Sequence, residues 1–357
     1  MPNQRDGHDD AIGDRRPAAD WDPPADWTAV RTVDAHAGGE PLRIVVDGLP
    51  PVEGDTMLAK RRHFRAELDH LRTALVHEPR GHADMYAAVP TDPVTDDGDL
   101  GVLFLHNDGY STMCGHGVVA LGTVAVETGV LGVDGAESTV RLDTPAGRVT
   151  ARPTVDGGRA TRVAFENVPS FVAATDRRVD VPGYGVVPYD LAFGGAFYAY
   201  VSASDLGVGL APGDVDALVD AGRAVKAAVA DDVAVDHPTE PDLGYLYGVV
   251  VTGPPEGDAD VRNVTVFADG EVDRCPTGTG VSGHLALRHA RGDLAPGDPL
   301  TVESVVGSTF TGRVVGRTTV GDRDAVVPEV AGSAHLTGRH EFLVDPADPL
   351  GDGFLLR

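Results

Sequence analysis

One order of predicted elements occurs twice along this chain, and this repetition is the strongest constraint on the fold. In each copy strands come first, followed by a surface helix, more strands, a glycine-rich loop, a second helix and further strands. The two loops are STMCGHGVVALG at 111–122 and EVDRCPTGTG at 271–280, and each places glycines where a helix starts. A duplicated β-rich unit wrapped around one helix is the most economical interpretation. The sequence therefore predicts an α+β protein made of two similar halves.

Hydrophobic periodicity and turn residues define the elements of each copy. Apolar residues at helical spacing predict surface helices at 54–75 and 211–232, and the helices that follow the two loops cover 113–131 and 279–292. Short β-type segments, separated by Gly, Asp and Pro, fill the rest of the ordered chain. The predicted division is a flexible acidic tail at 1–27, a first half at 28–185, a second half at 186–342, and a C-terminal segment at 343–357 that returns to the first half.

The charge balance limits the partners of this protein. Its 55 acidic side chains outnumber the 29 basic ones, which gives a formal net charge of −26. A dense carboxylate shell keeps a protein hydrated in concentrated salt, so we expect a halophilic protein. The same charge argues against nucleic acid or an anionic membrane as a partner. The N-terminus has no apolar core of a signal peptide and no stretch approaches the roughly 20 apolar residues of a membrane span, so we expect a cytoplasmic location.

Cys114 is the first candidate catalytic residue. Most lone buried cysteines are inert packing residues, but Gly115 and Gly117 leave space around this thiol and a helix is predicted directly after it. The free N–H groups and the dipole at a helix N-terminus stabilise a thiolate, which predicts a lowered pKa for Cys114. The same N–H groups can bind a carboxylate. The segment therefore suits a general base that removes a proton from the carbon next to a bound carboxylate.

The second loop carries hydroxyl groups where the first carries the thiol. Thr277 and Thr279 stand at a predicted helix start on either side of Gly278, and either N-capping or a chemical role is open for both. A threonine hydroxyl is a poor base and does not replace a thiolate. Cys275 lies before the proline and would project from a different place than Cys114, so we do not expect it to be catalytic. CxxC and HExxH patterns are absent from the sequence, which therefore gives no support for a metal site.

Six sequence blocks, in this order, resemble the proline racemase family, which also contains 4-hydroxyproline epimerases and trans-3-hydroxy-L-proline dehydratases. They are DAHAGGEP (34–41), EPRGHADMY (78–86), STMCGHG (111–117), FGGAFYAYV (193–201), FADGEVDRCPTGTG (267–280) and VGSTFTG (306–312). Racemases and epimerases of the family carry a second cysteine immediately after the proline, where this chain has Thr277. A threonine at that position resembles the dehydratase branch.

The resemblance implies a fold and a set of site residues. The implied fold has two pseudo-symmetric halves, each a β-barrel-like sheet around a central helix, as in proline racemase and diaminopimelate epimerase, with the substrate in the cleft between them. It places the proton acceptor at Cys114 and faces it with Thr277. The implied substrate-binding residues are Gly115, His116, Gly278 and Thr279, whose amides hold the carboxylate, and Asp273, which lies near the ring nitrogen of an imino acid. Cofactors and metals are not required, and a homodimer is expected from the resemblance alone.

The geometry of the substrate allows a single thiol to catalyse its dehydration. In trans-3-hydroxy-L-proline the hydroxyl and the α-hydrogen lie on the same face of the ring, so one thiolate can take the α-proton and return it to the departing hydroxyl. This predicts a cofactor-independent hydro-lyase whose enamine product tautomerises to Δ1-pyrroline-2-carboxylate. Two alternatives stay open: a proline racemase or 4-hydroxyproline epimerase with Cys275 or Thr277 as second acid/base, and an inactive binding protein for cyclic amino acids.

The other blocks give weaker expectations. In EPRGHADMY we expect the charged and aromatic side chains, Tyr86 among them, to fix a loop rather than to catalyse. Near GGAFYA, the side chains of Phe193, Phe197 and Tyr198 either wall an apolar pocket for the ring methylenes or belong to the core. His36, beside GGE, either touches the substrate or is merely hydrogen-bonded.

Overall fold

The computed structural model describes residues 21–129 and 139–356. The helices are α1 (Met57–Glu67), α2 (Asp69–Val76), α3 (Gly115–Thr128), α4 (Ala203–Leu206), α5 (Val215–Asp232) and α6 (Gly278–Arg291). The first nine strands are β1 (Thr28–Ala37), β2 (Glu40–Asp47), β3 (Ala87–Thr91), β4 (Leu100–His106), β5 (Gly109–Ser111), β6 (Val140–Thr144), β7 (Gly147–Asp156), β8 (Arg159–Glu166) and β9 (Ser170–Val181). The other nine are β10 (Gly185–Phe193), β11 (Phe197–Ser202), β12 (Leu246–Gly253), β13 (Val261–Phe267), β14 (Glu271–Val272), β15 (Leu300–Glu303), β16 (Thr309–Val320), β17 (Arg323–Gly332) and β18 (Ala334–Val344).

Eight strands close into a ring around α6. The pairing runs β9–β10–β11–β12–β13–β15–β16–β17 and returns from β17 to β9. α6 packs against β9, β10, β16 and β17. Its first ten residues are buried apart from His284, as expected for a helix enclosed by a sheet. The predicted α+β class is confirmed, and the sheet contains a closed eight-stranded barrel.

The remaining long strands form a second ladder against α3. Its order is β18–β1–β2–β3–β4–β6–β7–β8, and β8 pairs onward with β17 of the ring. α3 packs on β8, β1 and β7 and is buried from Gly115 to Ala125. Small residues make this burial feasible, because an added Cβ at Gly122 would lie only 2.9 Å from Val163. A bulkier helix would not fit this close to the sheet.

The parallel strand pairs show how each helix is placed. β2–β3 and β11–β12 are parallel and are joined through the surface helices, whereas β4–β6 and β13–β15 are parallel and are joined through α3 and α6. A parallel pair needs a long crossover connection, usually helical. Both loops singled out in the sequence therefore lie at the start of a crossover helix.

Two predicted helices have different bounds in the structure. The single helix predicted at 54–75 is wrong: the structure has α1 and α2, separated at Leu68, whose φ of −123° leaves the helical range. Asp69 starts α2 and binds Arg72 at 2.7 Å and the Tyr110 hydroxyl at 2.5 Å, which fixes the second helix in a new direction. The predicted helix at 113–131 is α3, which stops at Gly129 in the left-handed conformation.

The two chain ends differ in what the structure says about them. Residues 1–20 of the predicted acidic tail lie outside the described residues. At the other end, Phe354 forms a β-bridge with Glu78, and the Arg80 guanidinium donates to the carbonyl oxygens of Leu343 and Gly351. The C-terminal segment is thereby held against the loop before β3. Within the described ranges, none of the helices is long and apolar enough to cross a membrane.

Candidate active site

The N-termini of the two central helices meet. Cys114 is the N-cap of α3 and Thr277 the N-cap of α6. A Cβ added to Gly115 would lie 2.6 Å from the Cα of Gly278, and a Cβ added to Gly278 would lie 2.8 Å from the Cα of Gly115. Real side chains do not tolerate such distances to backbone atoms, so the first residue of each helix has to be glycine for this approach.

A small buried cavity lies where these helices start. Its volume is about 20 Å³, which is room for about one water molecule. Both loops contribute to its wall, together with aromatic residues from the surrounding strands. The lining residues are Tyr86, Met113, Cys114, Gly115, His116, Tyr198, Tyr247, Phe267, Asp273, Thr277 and Thr279. Of the predicted site residues only Gly278 is not in the lining, and it contacts Gly115 directly.

Burial dominates the electrostatics of Cys114. Its thiol accepts the Gly117 N–H at 3.3 Å and lies 3.3 Å from Nδ1 of His116. Desolvation raises the pKa of Cys114 well above its usual range, and the carboxyl groups of Asp273 and Glu40 raise it further, whereas the Gly117 N–H lowers it. The expectation of a lowered pKa is therefore wrong for this buried thiol, because the helix N–H groups do not offset desolvation and the neighbouring acids.

The first-turn backbone amides of both helices face the same region. The first N–H groups of a helix have no acceptor within that helix. Within the described part of the chain, the N–H groups of Gly115, His116, Gly278 and Thr279 have no acceptor elsewhere either. Burial lowers the pKa of the His116 ring to about 3, a shift that a hydrogen bond to the Pro41 carbonyl opposes, so the ring is neutral. The four amides form a site that can bind an anion.

Asp273 and Thr277 form a hydrogen-bonded pair opposite the thiol. Asp273 accepts the Cys275 N–H at 2.8 Å and the Thr277 hydroxyl at 2.8 Å. Burial raises the pKa of Asp273, and the bonds from Cys275 and Thr277 lower it. The Thr277 hydroxyl also lies 2.7 Å from that of Thr265. Side-chain N-capping by Thr277, one of the two expectations, is wrong because its hydroxyl is engaged by Asp273 and Thr265.

Thr279 and the GGAFYA aromatics divide between cavity and core. The Thr279 hydroxyl lies 2.7 Å from that of Tyr198, and both residues line the cavity. Phe193 and Phe197 instead pack against Phe171, with ring centroids 5.2 and 5.8 Å away, and belong to the core. Of these three aromatic residues, Tyr198 lines the cavity, whereas Phe193 and Phe197 belong to the core.

Several cavity residues were missed by the sequence reasoning. Tyr86 was assigned to a loop-fixing role, yet it lines the cavity, and its hydroxyl lies 2.9 Å from that of Tyr247. The EPRGHADMY block is the available signal for Tyr86 and the FADGEVDRCPTGTG block for Phe267, whereas Tyr247 lies in neither block. His36 has no place in the lining; its Nδ1 accepts the Gly39 N–H at 3.2 Å.

Glu40 is a second buried acid beside the site. It is fully buried, one carboxyl oxygen accepts the Arg274 N–H at 2.7 Å, and the other has no hydrogen-bond partner. Burial and the charge of Asp273 raise the pKa of Glu40 well above its usual range. Arg274 also pairs with Asp84 at 2.9 Å. The charge of Arg274 lowers the pKa of both acids, yet burial keeps both pKa values raised, so a bound ammonium would add a favourable positive charge.

One group of side chains near the cavity has metal-ligand composition. The ligand atoms of His116, Asp273 and Cys275 lie within 4.8 Å of one another. Asp273 already accepts two hydrogen bonds, and the Cys275 sulfur accepts the Thr277 N–H at 3.3 Å. These partners satisfy the polar atoms without an ion. Absence of a metal stays a prediction.

Paired helix N-termini over a buried thiol define a class of site suited to proton transfer at a carbon next to a carboxylate. The proline racemase family model matches residues 32–355. The chain therefore belongs to the proline racemase family.

Individual relatives and a solved structure agree with this assignment. A Colwellia psychrerythraea protein named trans-3-hydroxy-L-proline dehydratase is 45% identical, over 93% of this chain and 94% of its own. A Burkholderia multivorans protein named 3-hydroxyproline 2-epimerase is 46% identical, over 92% and 98%. The crystal structure of a hydroxyproline epimerase from Agrobacterium vitis, with bound trans-4-OH-L-proline, superposes with a TM-score of 0.88 at 33% identity, covering 92% of this chain and 96% of the other.

Proposed function

We propose that this protein is a cofactor-independent hydro-lyase that dehydrates trans-3-hydroxy-L-proline to Δ1-pyrroline-2-carboxylate. The observation that carries the proposal is a cavity with one thiol, Cys114, opposite a threonine hydroxyl tied to a carboxylate. Dehydration needs one base on one face of the ring, which this arrangement supplies. The 45% identical relative named as such a dehydratase supports the same substrate.

The proposed architecture has two pseudo-symmetric halves with the active site in the cleft between them. Its support is the repeated order of parallel pairs, one through a surface helix and one through a central helix, in both the closed ring and the second ladder. The boundary near 185 and the return of the C-terminal segment belong to the same proposal. The N-termini of α3 and α6 would then be equivalent positions of the two halves.

In the proposed complex, two sets of groups orient the zwitterionic substrate. The amides of Gly115, His116, Gly278 and Thr279 hold the carboxylate at the paired helix N-termini. Asp273 pairs with the ring ammonium, which adds a positive charge beside the two buried acids Asp273 and Glu40. This orientation aims the α-carbon at Cys114. Because the cavity has room for about one water, the substrate must enter through an opening of the cleft.

The chemical step is a syn elimination. The Cys114 thiolate takes the α-proton, the Cα–H electron pair forms the Cα–Cβ double bond, and the C3–O bond breaks. The proton gained by the thiol balances the one that the departing hydroxyl needs to leave as water, so the thiolate is restored. The enamine then tautomerises to the Δ1 imine. Thr277 holds Asp273 in place and takes no proton from the substrate, since its hydroxyl donates to that carboxylate.

Water loss should become faster as the pH rises. Cys114 must be a thiolate to act as a base, and its pKa is raised by burial and by the Asp273 and Glu40 carboxyls. The reactive form therefore gains population as pH rises through that pKa, and the rising limb of kcat/KM should be centred above about 8.5, the ordinary value for cysteine. The pH profile of kcat/KM tests this, and a plateau reached by about pH 7 would contradict it.

The runner-up is an epimerase acting at the same α-carbon. The Burkholderia multivorans relative and the Agrobacterium vitis structure favour it, since both are named as epimerases. Inversion needs a second acid/base on the opposite face of the ring. Thr277 is a poor base, and Cys275, although buried, does not line the cavity. A binding protein without activity is the third candidate, and a binding site alone has no need for a thiol at the helix start.

A substrate panel distinguishes these candidates. The protein, in concentrated salt, is incubated with trans-3-hydroxy-L-proline, trans-4-hydroxy-L-proline or L-proline, with and without a chelator. We expect imine formation from the first compound only, unchanged by the chelator, and no change of configuration in the other two. Inversion of any substrate would favour the epimerase, loss of activity with the chelator would contradict cofactor independence, and binding without turnover would favour the third candidate.

Three further proposals concern the setting of the enzyme: the acidic composition supports the first, and the homodimer rests on the family resemblance alone. The net charge of −26 fits a halophilic protein that needs salt to screen carboxylate repulsion. A cytoplasmic location and a homodimer complete the proposal. The partner at the site is a small imino acid, with neither nucleic acid nor membrane involved.

A further inference from the structure

Tyr86 has a hydroxyl that the proposed function leaves without a role. The residue directly precedes β3 and is buried, and it lines the same cavity as Cys114. Its hydroxyl donates to the Ser111 hydroxyl at 2.7 Å and lies 2.9 Å from that of Tyr247. Its ring meets the His116 ring edge-on, with centroids 4.8 Å apart. A phenol is thus fixed beside the thiol by contacts on three sides.

The proposed elimination creates a need for such a group. Cys114 takes a proton from one carbon, while the departing hydroxyl on the adjacent carbon must receive one. Hydroxide is a poor leaving group, and protonation by a positioned side chain typically contributes about 10²–10⁴-fold to such a rate. A thiol fixed by the Gly117 N–H at 3.3 Å is poorly placed to follow the proton from one atom to the next. A second proton carrier beside it removes that difficulty.

We propose that Tyr86 is a further catalytic residue, which passes a proton from the Cys114 thiol to the departing 3-hydroxyl. This inference rests on the proposed dehydratase function. Ser111 and Tyr247 hold the phenol in position, and their hydroxyls can accept or donate as the Tyr86 hydroxyl turns toward the substrate.

The proton balance of the relay is complete without another reactant. The thiolate forms an S–H bond with the α-proton as the C3–O bond breaks. The Tyr86 O–H bond breaks and its proton goes to the departing oxygen, which leaves as water. The S–H proton then moves to the Tyr86 oxygen. Thiolate and phenol are both restored, and the sum is substrate to enamine plus water.

The other hydroxyls of the cavity are less suited to this role. The Thr277 hydroxyl donates to the Asp273 carboxylate, a stronger acceptor than the neutral hydroxyls that Tyr86 contacts. The Thr279 hydroxyl contacts that of Tyr198. Burial and the neighbouring Cys114 raise the pKa of Tyr86 well above its usual range, so the phenol keeps its proton at neutral pH. It keeps that proton above about pH 8.5 as well, where the Cys114 thiolate gains population, and therefore serves as a donor there.

A change of leaving group tests the proposal. Fluoride departs from trans-3-fluoro-L-proline without first being protonated, yet the same α-proton must be removed. Tyr86→Phe should lower kcat for water loss by about 10²–10³-fold and leave kcat for fluoride release within a few-fold of wild type. Cys114→Ser should lower both rates. Imine formation and fluoride release are measured on the same samples.

Tyr189→Phe is the matched control. It also removes a tyrosine hydroxyl, which donates to Asp232, but neither residue lines the cavity. The rates of water loss and of fluoride release should both equal those of wild type. Equal losses of both activities in Tyr86→Phe would mean a structural role, and full retention of water loss would mean no role. If that variant does not fold, Tyr247→Phe replaces it: removing one partner of the phenol should slow water loss alone. Wild-type protein that forms no imine from trans-3-hydroxy-L-proline would instead refute the proposed function.

Discussion

Serine in place of Cys114 should lower kcat/KM for water loss from trans-3-hydroxy-L-proline by about 10⁴-fold, the upper range for loss of a positioned acid/base group. A serine hydroxyl is too weak an acid to ionise in a cavity that already disfavours the thiolate through burial and two carboxyl groups. The substitution keeps the shape of the site, since serine is the better N-cap of the two and its oxygen can accept the Gly117 N–H. Imine formation and exchange of the α-hydrogen in D₂O should fall together.

Cys275→Ser is the control for this variant. Cys275 is also fully buried and also accepts a backbone N–H, from Thr277 at 3.3 Å, yet it does not line the cavity. The control should keep kcat/KM within a few-fold of wild type. Turnover that survives in Cys114→Ser, or that is lost equally in Cys275→Ser, would contradict the role of Cys114. Loss in Cys275→Ser alone would mean that Cys275, and not Cys114, is the base.

Much of the fold could be predicted because its cause is local. Glycines before α3 and α6 mark helix starts, and the apolar spacing of α5 matches its buried residues, Leu218, Val225 and Val229. The pairing of strands was not predictable at this level. β18 pairs with β1 and β8 with β17, contacts that join distant parts of the chain and depend on how the sheets close.

The site residues divide in the same way. The place of Cys114, Thr277 and Asp273 in one cavity could be predicted because each lies in a family-like sequence block next to a helix start. The pKa direction of Cys114 could not, because it depends on burial and on Glu40, the first residue of the distant strand β2. Tyr86 was undervalued for a related reason: only the tertiary fold brings its hydroxyl to Tyr247 and the cavity.

Alanine in place of Gly115 should separate the two helix starts and lower kcat/KM by about 100-fold. Its Cβ would lie 2.6 Å from the Cα of Gly278, whereas carbon atoms in contact are about 3.5–4.0 Å apart. The backbones must therefore part by roughly 1 Å, a displacement that commonly costs about 10²-fold in rate. Overpacking should also lower the free energy of unfolding by about 1–3 kcal/mol. Steady-state kinetics and denaturant unfolding measure the two effects.

Gly213→Ala is the matched control, since a Cβ there meets no atom within 4 Å, and it should change stability by no more than about 0.5 kcal/mol with unchanged kinetics. In the proposed complex the amides of Gly115 and Gly278 bind one carboxylate together. Parting the helices weakens that shared site for substrate and for a simple carboxylate inhibitor alike, so the inhibition constant of pyrrole-2-carboxylate should rise with the loss of kcat/KM. A Gly115→Ala protein that is less stable but binds this inhibitor as wild type does would show that the paired helix starts serve folding rather than recognition of the carboxylate.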